Sequence, residues 1–166
     1  KDYLYNYLFK EIDMLFNHLN KNKIKLNVRT IFFGGGSPTI FHREDLKNLV
    51  DKLKGYFDFS KVGYFTIEID PRRVDADRLL WNHKKCGANR LSFGLQDFDP
   101  TVQRRVNRIQ PQEIFKNILT KEVRKAYKTI AFDLLIGQPG QTKESMAKTC
   151  DQIIELRPTL IQLSLM

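Results

Sequence analysis

Two hydrophobic periods take turns along the 166 residues of this chain. From Asp2 to Asn20, Leu4, Leu8, Ile12, Leu15, Phe16 and Leu19 recur every three or four residues, which predicts a helix with one apolar face. "NVRTIFF" then reads as a strand and ends on glycines. "REDLKNLVDKLKGYF" returns to helical spacing through Leu46, Leu49, Val50, Leu53 and Phe57. "GYFTIEID" alternates strictly, with Phe65, Ile67 and Ile69 on one side and Thr66, Glu68 and Asp70 on the other. A helix from about Asp75 is predicted to stop at Gly87, a C-cap. "NRLSFGLQ" alternates again: Leu91, Phe93 and Leu95 against Ser92, Gly94 and Gln96. Asp99 as N-cap and Pro100 at the first helical position open the next helix. A longer helix is predicted over 111–127. "KTIAFDLLIG" sets Ile130, Phe132 and Leu134 against Ala131 and Asp133. Thr142 caps a helix that runs to Pro158, and "TLIQLSLM" is the fifth strand.

Strands separated by helices predict a parallel sheet with helical crossovers. Parallel strands covered on both faces should be apolar throughout. These strands are apolar on one face only. The other carries Glu68, Ser92, Gln96, Asp133 and Gln162. Packing such groups against helices without partners costs about 2–7 kcal/mol each. A barrel or partial barrel avoids that cost by turning the polar face toward a wet interior. The polar residues lie toward the C-terminal strand ends, where barrel enzymes place their chemistry. The fold class is therefore α/β, a barrel-type enzyme with a polar lumen.

Composition narrows the reading slightly. Lys and Arg number 28 against 19 Asp and Glu, a formal charge of +9. An excess of this size suits anionic partners, but the basic residues are scattered as on a solvated surface, and the "VQRRVNR" cluster has no interleaved aromatics for base stacking. A nucleic-acid binder is the weakest reading. No apolar run reaches the ~20 residues of a membrane helix. Cys86 and Cys150 fit a reducing cytosol and form no metal spacing, nor do His18, His42 and His83. The chain opens on Lys1 and stops at "IQLSLM", and is expected to be a piece of a longer polypeptide, residues 1–166 forming one core truncated at both ends.

"FFGGGSPT" holds three consecutive glycines. It lacks the Lys and Ser/Thr of a phosphate-binding P-loop, and Thr39 stands where a dinucleotide fingerprint has its third glycine. Either the turn needs positive φ, or a ligand approaches bare backbone at Gly35 and Gly36.

The blocks "FFGGGSPT", "IEIDPRR", "GANRLSFGLQDFDPTVQRRVNRIQ", "DLLIGQPGQT" and "IIELRPT" together resemble the oxygen-independent coproporphyrinogen III oxidase (dehydrogenase) family of radical S-adenosylmethionine (SAM) enzymes. The resemblance runs from Lys1 to about Pro158. It implies a partial (β/α)6 TIM-like barrel, here without its first strand and cluster loop. It implies a 4Fe-4S cluster on a CxxxCxxC motif, whose ligands are absent from this chain, and SAM, two molecules by the family pattern. It implies oxidative decarboxylation of two propionates of coproporphyrinogen III to vinyls, giving protoporphyrinogen IX in haem biosynthesis. The implied SAM contacts fall on Gly35, Gly36, Ser37, Glu68, Gln96, Arg108 and Asp133; no residue is assigned a catalytic role. Glu68 or Asp133 could instead pair with Arg90, and Gln96 could bridge strands. The implied partners are a porphyrinogen and an electron donor, for a cytoplasmic monomer with no nucleic acid and no membrane span. Two departures stand out. The family has an aromatic residue and Gly-Leu-Pro where this chain has Ile136, Gly137, Gln138 and Pro139. "IQLSLM" leans toward the haem-chaperone branch of the superfamily, which lacks dehydrogenase activity. That chaperone is the alternative reading.

Overall fold

A computed structural model describes residues 2–166. Its centre is one sheet of five parallel strands, β1 (Thr30–Phe33), β2 (Tyr64–Ile69), β3 (Arg90–Gln96), β4 (Thr129–Ile136) and β5 (Leu160–Leu165), ordered in the sheet as in the chain. Parallel neighbours cannot be joined by tight turns, so each crossover carries helix. These are α2 (Arg43–Lys54), α3 (Ala76–Trp81), α4 (Pro100–Arg105), α5 (Gln112–Ile118), α6 (Lys121–Ala126) and α7 (Lys143–Leu156); α1 (Phe9–Lys21) precedes β1.

The alternation in the strands decides where the core lies. Phe65, Ile67 and Ile69 of β2, Leu91, Phe93 and Leu95 of β3, and Ile130, Phe132 and Leu134 of β4 are buried with Leu46, Val50, Leu79, Phe115, Val123 and Ile153 from the helices. Phe93, Phe115 and Phe132 meet edge to face at 5.4–5.9 Å, the arrangement that aromatic quadrupoles favour. Thr66, Glu68, Ser92, Gly94, Gln96 and Asp133 occupy the alternate positions and face away from this core, as the sequence pattern predicts. In β5, Ile161, Leu163 and Leu165 lie in register with Phe132, Leu134 and Ile136 but remain exposed.

Capping follows the sequence closely. Asp75, Asp99 and Thr142 each accept first-turn backbone N–H groups, Thr142 within a reciprocal capping box with Ser145. Gly87 ends its helix at φ 86°, after a π-helical turn at Asn82–Cys86. One prediction needs correction: the helix expected over 111–127 is two helices, α5 and α6. Leu119 leaves helical geometry at ψ 54°, and Thr120 starts a new N-cap by accepting from the Val123 N–H. A threonine hydroxyl competes well for those first-turn donors, which apolar periodicity does not register.

Candidate functional site

The three glycines serve two purposes. A Cβ on Gly34 would sit 2.0 Å from the Phe32 ring and 2.8 Å from Glu68 Oε2, so the chain there has no room for a side chain. Gly35 and Gly36 take φ values of 83° and 112°, where L-residues are strained, and a Cβ at either would meet nothing within 4 Å. Their backbone is therefore open to a ligand. The Gly35 N–H donates to Glu68 Oε2 at 2.9 Å, so the carboxylate at the end of β2 also shapes the loop after β1. Ser37 secures the far side of the loop: its Oγ lies 2.7 Å from Thr39 Oγ1 and accepts from the Asp70 N–H at 3.3 Å. Beside it, the Arg72 guanidinium grips Asp70 through two bonds of 2.9 Å and holds its carboxyl below the usual carboxylate range.

The second half of the site is built on Gly94. Asn107, at φ 52°, ends α4; its N–H reaches the Arg104 carbonyl at 3.2 Å and the Arg108 N–H reaches the Gln103 carbonyl at 2.8 Å, a Schellman turn. This brings Arg108 back over the sheet. Its Nη2 donates to the Gly94 carbonyl at 2.7 Å, in space that a Gly94 side chain would fill: a Cβ there would lie 2.8 Å from Arg108 Nη2 and 3.2 Å from Gln96 Nε2. The Arg108 guanidinium is half-buried, and desolvation lowers its pKa; Arg72 acts in the same direction, while Asp70 and Glu68 oppose both. Glu68 thus exerts its field on Arg108 from the neighbouring strand. Gln96 stands at φ 69° beside a register shift in β3, a conformation that costs a non-glycine residue about 1–3 kcal/mol unless its surroundings impose it. Asp133 accepts from Ser92 Oγ at 2.8 Å.

Neither Glu68 nor Asp133 pairs with Arg90 among the described residues, and the Gln96 side chain makes no bond across strands. The residues the resemblance selected fall into two spaces at the same end of the sheet. Gly35, Gly36 and Ser37 line a cavity of about 720 Å³ with Leu8, Phe33 and Arg73. Gln96, Arg108 and Asp133 line one of about 450 Å³ with Gln138 and Met166. Glu68 lines neither and ties the glycine loop to the sheet between them.

Sequence reasoning passed over a buried polar network under this site. Asp97 accepts from Thr149 Oγ1 at 2.7 Å, from the Asp99 N–H at 2.7 Å and from Gln141 Nε2 at 2.6 Å. Gln103 Nε2 donates to the carbonyls of Asp97 (2.9 Å) and Gln110 (3.0 Å), and Gln110 Nε2 to those of Gly94 (2.9 Å) and Leu95. The available hint was polar side chains in "QDF" and "VQRRVNRIQ", flanking residues with an apolar rhythm.

The donor set suits SAM and not iron. Open backbone at Gly35 and Gly36, a carboxylate with one protein partner, and a guanidinium with unused N–H groups match an amino-acid moiety. Among the described residues, no three His, Cys, Asp or Glu converge to hold a metal ion. Burial pushes the Cys86 thiol up to about 11, whereas Cys150 is exposed on α7. At neutral pH, iodoacetamide is expected to label Cys150 and leave Cys86 unmodified until the chain is denatured, as mass spectrometry of tryptic peptides would record.

The chain is 36% identical over 157 residues to the oxygen-independent coproporphyrinogen III oxidase of Pseudomonas aeruginosa, a match covering 91% of this chain and 32% of that protein. It is 37% identical over 154 residues to the protein of the same description from Helicobacter pylori, covering 92% and 33%. The solved structure of coproporphyrinogen III oxidase from Escherichia coli, described as a radical SAM enzyme, superposes with a TM-score of 0.73 at 35% identity, over 82% of this chain and 32% of that one. The chain thus spans about a third of the length of these relatives. The radical SAM superfamily matches residues 3–153, which takes in strands β1 to β4 with the glycine loop, Glu68, Gln96, Arg108 and Asp133, and the chain belongs to that superfamily.

Proposed function

We propose that this chain is the SAM-binding core of an oxygen-independent coproporphyrinogen III dehydrogenase, an oxidoreductase that converts two propionates to vinyls. The observation that carries the SAM reading is the joining of Gly35 to Glu68 at the mouth of the sheet, beside Arg108 on Gly94. Likeness to coproporphyrinogen III oxidases supports the reaction. When bound, SAM and an iron–sulfur cluster together supply a carbon-centred radical; the cluster's ligands would come from polypeptide outside these residues. The protein's part is to bind, orient and exclude water. Glu68 and the backbone carbonyls at Gly35 and Gly36 would accept from the ammonium of SAM. Arg108 would offer N–H groups to its carboxylate, and Asp133 would accept from ribose hydroxyls. The exposed apolar residues of β5, Ile161, Leu163 and Leu165, would be covered by further elements of the same barrel.

Glu68→Gln in the full-length polypeptide is expected to weaken SAM binding by about one to two decades, because a charge-assisted hydrogen bond contributes roughly 1.5–3 kcal/mol. Calorimetric titration under anaerobic conditions measures it, and unchanged affinity would sink the assignment of Glu68. An anaerobic assay with coproporphyrinogen III tests the reaction. Release of carbon dioxide with vinyl formation supports the dehydrogenase, and stoichiometric haem binding without decarboxylation would replace it with the chaperone.

A further inference from the structure

We infer that Gln110, braced by Gln103, is a positioning residue that fixes the Arg108 and Gln96 side of the SAM site; this rests on the SAM reading above. Gln110 is fully buried, and each of its polar atoms is committed. Its Nε2 donates to two successive carbonyls of β3, Gly94 at 2.9 Å and Leu95. These residues immediately precede Gln96, where the strand shifts register and takes its left-handed φ. The Gln110 amide therefore pins the backbone where relaxation of Gln96 would begin. Its Oε1 faces Arg108 Nε at 3.4 Å, and the Gly94 carbonyl that it holds is the one that receives Arg108 Nη2 at 2.7 Å. A single carbonyl thus couples the guanidinium to the glutamine.

Gln103 closes the clasp. It is buried on α4, its Oε1 accepts the Gln110 N–H at 3.1 Å, and its Nε2 bridges the carbonyls of Asp97 and Gln110. Both ends of the excursion from β3 to Gln110 are fastened by one side chain, and Arg108 lies within that excursion. An apolar side chain of equal size would fill the same space but leave the carbonyls of Gly94 and Leu95 without the amide. Arg108 and Gln96 would then lose their fixed relation to Glu68 and Asp133. The effect falls on the part of the ligand that carries a carboxylate, since Arg108 is the cation there.

The test compares two ligands in the full-length polypeptide. SAM carries the amino-acid arm, and 5′-methylthioadenosine keeps the nucleoside and sulfur without it. Gln110→Met is expected to lower SAM affinity about tenfold and to change methylthioadenosine affinity less than twofold, with affinities referred to the folded fraction. In an Arg108→Ala background the same substitution is expected to add less than twofold to the loss. Equal loss for both ligands, no loss for either, or an undiminished effect without Arg108 would overturn the proposal. If Gln110→Met does not fold, Gln103→Met carries the same comparison with the same expected pattern. Wild-type protein that binds both ligands equally would remove Arg108 from the carboxylate, and the proposal with it. Wild-type protein that favours SAM while Gln110→Met binds like wild type would overturn the positioning role and leave the SAM reading standing.

Discussion

Gly94→Val is expected to reduce SAM affinity by two decades or more while the protein still folds. The new Cβ would lie 2.8 Å from Arg108 Nη2 and 3.2 Å from Gln96 Nε2, and its two methyls would reach further into the lumen. Both neighbours are the far ends of long side chains, so they can swing away, and Gly94 is not among the positions that require positive φ. The backbone can accept valine. What is lost is the arrangement of Arg108 over its carbonyl, and with it a charged hydrogen bond of roughly 1.5–3 kcal/mol, together with the volume the ligand needs. Titration of SAM and a double-mutant cycle with Arg108→Ala separate the two effects. If Gly94→Val binds SAM as wild type does, the ligand does not use this side of the lumen.

Asp97→Ala is expected to be the most destabilising polar substitution in the chain, at about 4 kcal/mol. Asp97 is 2% exposed and receives three donors from three separate segments: Thr149 on α7, Gln141 in the loop before it, and the Asp99 backbone at the start of α4. A buried donor left without an acceptor costs about 1–3 kcal/mol, and the three do not add fully because the shortened side chain leaves room for water. Asp97→Asn should lose about half as much, since its amide oxygen still accepts while its NH2 confronts one donor. Urea denaturation of the three proteins should give midpoints in the order wild type, Asn, Ala. An alanine variant within 1 kcal/mol of wild type would mean that the network is dispensable to the fold.

The parts of this molecule that were legible in the sequence are those governed by period and by local capping. Phe65, Ile67 and Ile69 against Thr66 and Glu68 fix which face of β2 is core, because side chains in a strand alternate regardless of what lies beyond it. Asp99, Thr142 and Gly87 announce helix ends through bonds made within a few residues, and Pro100 through its fixed φ and missing N–H. The break between α5 and α6 escaped because Leu119 and Thr120 keep an acceptable apolar rhythm while changing backbone angle. Within the candidate site, the glycines, Glu68, Gln96, Arg108 and Asp133 came from resemblance to a family. Alternation put Glu68, Gln96 and Asp133 on the face away from the core, and their positions late in the strands put them toward its C-terminal end. Asp97, Gln103 and Gln110 could not be read, because their partners, the Thr149 hydroxyl for Asp97 and the carbonyls of Asp97, Gln110 and Gly94 for the two glutamines, are brought to them by turns between elements that no hydrophobic period names.

The agreement between strand order and chain order has a bearing on synthesis. Every strand after the first adds to an edge made by the strand just before it, so no segment must wait for a distant partner or thread into a sheet already closed. As the polypeptide leaves the ribosome, each strand–helix unit can dock on a template that has already emerged, and nascent intermediates expose one strand edge at a time. The Gly35–Glu68 link would form as soon as β2 has joined β1, whereas the clasp on Gly94 must await Gln110. The glycine-loop half of the candidate site can therefore form before the arginine half exists.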